Sequence, residues 1–135
     1  MQRLALERLL RKAGLKPTEK RIAIAGLLFD GPTTKHVTAD DVMETARRAR
    51  VRVSQATVYN TLNQFCAAGL LKRIVIDNSS TFFDTNTDDH HHIYNEDDHH
   101  LVDLPMMAID TDKLPPLGDG ETIRSVDIVV RVGNK

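Results

Sequence analysis

Five of the six histidines lie between positions 90 and 100, in the run Asp88-Asp89-His90-His91-His92-Ile93-Tyr94-Asn95-Glu96-Asp97-Asp98-His99-His100. Side chains alternate along a strand, so His90 and His92 would share one face and His91 would point to the other. Two imidazoles on one face, joined by carboxylates from other segments, make a mixed nitrogen and oxygen site suited to Fe(II), Mn(II) or Zn(II). Asp84 precedes the run and Asp103 follows it on a neighbouring predicted strand, which makes both candidate ligands. His36, in the loop before a predicted third helix, is the only histidine in the first half of the chain. On its own it reads as a surface residue. If it joined the same site, one cation would tie the two halves together and bias their relative geometry. Neutral imidazole also ligates haem iron axially, so His90, His91 and His92 form a candidate haem site as well. His99 and His100 read as solvated.

These side chains need elements to position them. Residues 3–13 have the pattern of a basic amphipathic helix, with Leu4, Leu6, Leu9 and Leu10 on one side and Gly14 as its stop. Pro17 and Thr18 open a second helix, running to about Phe29 and burying Ile22, Ala25 and Leu28, and Asp30-Gly31-Pro32 breaks it. Thr38 with Asp41 predicts a capping box for a third helix over 39–49, packed through Val42, Met43, Ala46 and Ala49. Ser54 caps a fourth through Ala68, where Gly69 supplies a left-handed stop. Two β-rich runs, Leu70 to Asp77 and Thr81 to Thr85, flank Asp77-Asn78-Ser79-Ser80 and predict a hairpin. Helices followed by a two-stranded wing are the winged form of the helix-turn-helix. Further strands are expected around His91–Tyr94, at Leu101–Leu104 and over Ile123–Val132, with a loop over 113–120.

Charge divides the chain in the same place. Residues 1–80 carry a net +7 and residues 81–135 a net −8, which the overall −1 conceals. A basic half suits a polyanion and an acidic, histidine-rich half suits a cation. On the fourth helix Val58, Leu62 and Phe65 face the core, leaving Ala56, Tyr59, Asn60 and Asn63 outward with Gln55 near the N-terminus. Amides can pair with adenine edges in a major groove and Tyr59 can pack on a thymine methyl. Lys16, Lys20, Arg21, Arg52, Lys72 and Arg73 could supply phosphate contacts. The bland reading is an ordinary polar helix face.

The 135 residues bound the chain to one domain or two small ones, and six aromatics without tryptophan imply an aliphatic core. A single cysteine, Cys66, excludes an internal disulfide and a Cys-x-x-Cys zinc clip. With no apolar run long enough to span a bilayer and no signal-peptide pattern after Met1, the expectation is a soluble cytoplasmic protein without a membrane partner. A metal-dependent hydrolase would need a substrate pocket and an open coordination position, for which the acidic half offers little material. A plain metal or haem buffer would leave the basic winged helix without a use. The expectation is therefore a non-enzymatic protein.

The combination resembles the ferric uptake regulator family of bacterial transcription factors across nearly the whole chain. The resemblance is carried by Ala13-Gly14-Leu15-Lys16-Pro17-Thr18 with Arg21, by His36-Val37-Thr38-Ala39-Asp40-Asp41, by Ala56-Thr57-Val58-Tyr59-Asn60-Thr61-Leu62-Asn63-Gln64-Phe65, by Phe83-Asp84, by the histidine run and by Leu101-Val102-Asp103. It implies an α+β fold, with a winged-helix DNA-binding domain over 1–82 and a small α/β dimerisation and metal- or haem-sensing domain over 83–135. It also implies a homodimeric repressor of iron homeostasis on inverted-repeat double-stranded DNA. The regulatory metal site falls on His36, Asp84, His90, His92 and Asp103, and a second site on Asp89, His91 and Asp110, with Asn134 near the place of its remaining ligand. The DNA-facing set becomes Lys16, Arg21, Gln55, Ala56, Thr57, Tyr59, Asn60 and Asn63, where Tyr59 meets thymine, Lys16 reaches the minor groove and Asn60 replaces a common arginine. The family's usual Cys-x-x-Cys is Asn95-Glu96-Asp97-Asp98 here, and Pro115-Pro116 cut short the dimerisation helix. Those departures, with the histidine triplet, resemble the iron response regulator branch, in which haem lowers DNA affinity. No Cys-Pro haem motif occurs. The ligand set also resembles the peroxide-sensing members, which bind Fe(II) or Mn(II).

Overall fold

The computed structural model describes residues 2–31, 33–105 and 107–135. Pro32 of the expected helix break and Met1 of the N-terminal reading lie outside the described residues. The chain forms two compact units, Met1–Thr87 and Asp88–Lys135.

In the first unit, α1 (Arg3–Lys12), α2 (Glu19–Phe29), α3 (Ala39–Arg48) and α4 (Gln55–Ala67) surround one apolar core. Leu6, Leu10, Ile22, Ile24, Ala25, Leu28, Val42, Val58, Leu62 and Phe65 fill it. Leu4, placed on the apolar side of the first helix, is instead exposed, and so is Ala49 beyond α3. The caps are those the sequence encodes. Thr18 Oγ1 accepts from the Arg21 N–H and Ser54 Oγ from the Thr57 N–H. Thr38 and Asp41 close a full capping box: the Asp41 N–H donates to Thr38 Oγ1 at 3.1 Å and the Thr38 N–H to Asp41 Oδ2 at 2.9 Å. Each cap satisfies amide donors that a helix start leaves without partners.

α4 ends at Gly69, whose φ of 81° lets the Leu70 N–H turn back to the Phe65 carbonyl at 2.9 Å. Arg50 performs the same turn after α3 at φ 57°, with the Val51 N–H on the Ala46 carbonyl, although its side chain gives no sequence signal for it.

A three-stranded sheet of order β1-β3-β2 completes this unit, from β1 (His36–Val37), β2 (Lys72–Asp77) and β3 (Ser80–Asp84). The hairpin β2–β3 is the expected wing, its turn held by Asp77 Oδ1 accepting from the Ser79 N–H. β1 was not expected. His36 sits in a strand rather than a loop and pairs in register with Asp84, as Val37 does with Phe83.

The second unit is a three-stranded sheet of order β5-β4-β6, with β4 (His91–Asn95) central, β5 (Leu101–Leu104) antiparallel and β6 (Val129–Val132) parallel to it. The strand expected over Ile123–Val132 is shortened to its last four residues. β4 offers a ladder only from His92, opposite Val129, to Asn95, opposite Val132. Just before it, the Ile128 N–H is taken by a side chain, His91 Nδ1, at 3.1 Å. Among the described residues, helix here amounts to one 3-10 turn at Thr111–Lys113, before Pro115-Pro116 deny further amide donors.

Candidate metal centre and nucleic-acid face

Pairing of β1 with β3 brings an imidazole onto a buried carboxylate in the first unit. His36 Nε2 lies 3.1 Å from Asp84 Oδ2, and the Asp84 side chain is fully buried. Asp84 Oδ1 also accepts the Asn86 N–H at 2.8 Å, which fixes the carboxylate's orientation. Burial of such a carboxylate is costly unless a positive charge or several donors reach it.

In the second unit, pairing of β4 with β5 sets His92 opposite Asp103. His90 Nε2 and His92 Nε2 both approach Asp103 Oδ1, at 3.0 and 3.5 Å, with the two rings 4.5 Å apart. The ligating atoms of His90, His92 and Asp103 lie within 4.8 Å of one another. His90 Nδ1 is 2.6 Å from the Asp88 carbonyl oxygen. A carbonyl only accepts, so Nδ1 carries the proton, and neutral His90 then turns the lone pair of Nε2 toward a carboxylate oxygen. Two acceptors at 3.0 Å are repulsive unless a proton or a metal ion stands between them. Both histidines are nearly buried, so water screens that repulsion poorly. The donor set therefore fits a cation: nitrogen lone pairs and carboxylate oxygens aimed at shared space.

His91 faces the other way, as alternation along a strand requires. Its Nδ1 accepts the Ile128 N–H, and its buried Nε2 has no hydrogen-bond partner among the described residues. Asp89 is exposed, and Asp110 Oδ1 caps the 3-10 turn by accepting the Asp112 N–H. Among the described residues, the grouping of metal-ligand side chains does not include Asp89, His91 or Asp110 of the second candidate site. Asn134, near the place of that site's remaining ligand, instead accepts from Asn95 Nδ2 at 2.8 Å, and its N–H donates to Asp97 Oδ2 at 2.6 Å. The stretch Asn95-Glu96-Asp97-Asp98 is thus tied to the C-terminal tail by hydrogen bonds, with Asn95 Oδ1 also accepting the Asp97 N–H. His99 and His100 are both exposed, as expected, and His99 Nδ1 also shares a 2.8 Å hydrogen bond with the Tyr94 hydroxyl.

On α4, Gln55, Ala56, Tyr59, Asn60 and Asn63 are exposed and Thr57 is half-buried. Two arginines taken as phosphate contacts are engaged within the unit. Arg21 donates to Gln64 Oε1 at 3.1 Å and to the Lys16 carbonyl at 2.9 Å, joining the turn before α2 to α4. Arg73, on β2, donates through Nη2 to Asn63 Oδ1 and lies 5.9 Å above the Phe83 ring. Periodicity could not show these bonds, because they join residues 10 and 43 positions apart. Lys16, Lys20 and Arg52 carry no ion pair among the described residues.

The description "Ferric uptake regulator family" matches residues 12–113. The ferric uptake regulation protein of Pseudomonas aeruginosa is 43% identical over 75 residues, which are 56% of this chain and 55% of that protein's length. The ferric uptake regulation protein 1 of Mycolicibacterium fortuitum is 37% identical over 119 residues, 88% of this chain and 67% of its own. In three dimensions, a ferric uptake regulator from Pseudomonas aeruginosa solved with manganese superposes with a TM-score of 0.70 at 28% identity, covering 96% of this chain and 98% of that one.

Proposed function

Because the chain belongs to the ferric uptake regulator family, we propose that it is a metal-dependent, DNA-binding transcriptional repressor of iron homeostasis. The observation that carries the metal part is the His90–Asp103 contact. With Nδ1 on the Asp88 carbonyl, Nε2 meets a carboxylate oxygen 3.0 Å away, an arrangement that a proton or a divalent cation between them satisfies. His36, Asp84, His90, His92 and Asp103 are the ligands in this reading, three nitrogens and two carboxylates, a set suited to Fe(II), Mn(II) or Zn(II). A cation alters DNA affinity in this reading by binding one conformation of the chain better than another. The similar Pseudomonas aeruginosa structure with manganese supports that class of ion.

The first unit is the DNA-binding domain in this reading, with α4 in the major groove and Lys16 at the minor groove. The second unit is the sensing and dimerisation domain, and a dimer meets an inverted-repeat operator with matched symmetry. The protein works in the cytoplasm, and no described helix is long and apolar enough to cross a membrane. The iron response branch remains the nearest pattern on the missing Cys-x-x-Cys and the histidine triplet. Haem at that triplet is the weaker ligand reading, because His90 and His92 are turned to one carboxylate and His91 to the backbone of Ile128.

A competitive titration of Mn(II) against a fluorescent chelator tests the metal reading. The expected result is one ion per chain at the site, with Asp103→Asn weakening it at least about ten-fold. Equal affinity in the wild type and the variant would contradict it. Haem added to wild type and to a His90/His91/His92→Ala variant should give the same absorbance spectrum. A saturable Soret shift lost in the variant would favour haem instead.

A further inference from the structure

Asn63 stands on the exposed side of α4, two residues before the buried Phe65. An asparagine reads adenine in the major groove with both ends of its amide: Oδ1 accepts from the N6 amino group while Nδ2 donates to N7. Here a cationic donor already occupies one of the two lone pairs of Oδ1. Arg73 donates to Asn63 Oδ1 from β2, and its guanidinium is held over Phe83, the residue opposite it in the β2–β3 ladder. A donor already on Oδ1, with a full positive charge beside it, opposes the approach of an adenine amino group. The two hydrogens of Nδ2 remain. Asn60, one turn earlier, has no hydrogen-bond partner among the described residues and keeps both ends of its amide.

We infer that Arg73 makes Asn63 a donor-only reader, selecting the acceptor edges of guanine (N7, O6) or thymine (O4) over adenine at its base position. Arg73 is then a specificity-determining residue that acts through another side chain. Lysine could not take its place without losing the flat guanidinium that bonds Asn63 while lying over a ring. The inference rests on the proposal that α4 reads DNA.

The test is binding-site selection from a randomised duplex library, using the full chain with Mn(II) present, for wild type, Asn63→Ala and Arg73→Met. Methionine keeps an apolar, flexible side chain above Phe83 while removing the donor. Asn63→Ala should flatten the base preference at one position per half-site and thereby identify it. Wild type should favour guanine or thymine there, and Arg73→Met should raise the adenine share about five-fold or more. Adenine preferred by wild type at that position would overturn the inference, as would no position flattened by Asn63→Ala. An unchanged profile in a folded Arg73→Met protein would do the same. If Arg73→Met does not fold, the wild-type and Asn63→Ala profiles decide between these outcomes alone. Selection of no sequence by wild type would overturn the DNA-reading proposal itself, a different failure from a selected sequence with adenine at this position.

Discussion

Asp103 and Asp84 differ in what they stand to lose. Asp103 lies at the rim of its sheet, its side chain 42% exposed, so Asp103→Asn should leave the fold intact and weaken Mn(II) alone. Asp84 is fully buried between β1 and β2 and holds both His36 and the Asn86 amide. Asp84→Ala should therefore lose metal affinity and also about 1–3 kcal/mol of stability, because it leaves buried donors unpaired. Urea denaturation without metal separates the two cases. Loss of stability in Asp103→Asn as large as in Asp84→Ala would contradict the distinction. At this scale the candidate ligand types and their order are legible in the sequence, since histidine alternation and flanking aspartates are local features. It could not show that His36 meets Asp84 across a strand pair 48 positions apart in the chain, because His36-Val37 is too short to carry a strand signal.

The helix ends bear directly on how α4 is held. Arg50 adopts the left-handed conformation without being glycine, at a cost of roughly 1–2 kcal/mol. Arg50→Gly should stabilise the protein by about 1 kcal/mol, partly offset by unfolded-state entropy, and an unchanged or lower melting temperature would contradict that strain. Ser54→Ala should cost about 1 kcal/mol by freeing the first amides of α4. On α3, Glu44 is held down to about 2, first by the hydrogen bond from Arg47 and then by the charges of Arg47 and Arg48. A depressed carboxyl contributes stability above its ordinary range and loses it as pH falls toward the depressed value. The melting-temperature gap between wild type and Glu44→Gln should therefore be present near neutral pH and close in acid. It should be small throughout, as the pair is exposed to solvent. The four helices were legible because apolar spacing marks each, with side-chain caps at Thr18, Thr38 and Ser54 and glycine stops at Gly14 and Gly69. The last strand was overestimated: β-branched residues from Ile123 onward favour extension, but a strand needs a partner, and β4 ends where it does.

For the whole molecule, the +7 of residues 1–80 predicts DNA affinity that falls steeply with salt. Removing the charge of Lys16 or Arg52, which have no ion pair among the described residues, should reduce the salt slope by about one each. Arg21 should contribute less to that slope, because its guanidinium joins Lys16 to Gln64, and its loss should appear instead in α4 stability. The charge division between the halves was readable from the sequence, and it falls near the boundary of the two compact units after Thr87. What composition could not show is which arginines are committed internally, since Arg21, Arg73 and the unpaired cations have the same local signature. The central claim, which rests on the proposed function, is that a divalent cation governs DNA binding. Its most direct test is fluorescence anisotropy of operator DNA with wild type and His36→Ala, each with chelator and with saturating Mn(II). The account predicts that Mn(II) shifts wild-type affinity at least ten-fold, about 1.4 kcal/mol, while His36→Ala keeps the chelator-state affinity and loses most of the shift. An identical Mn(II) response in the two proteins would contradict it.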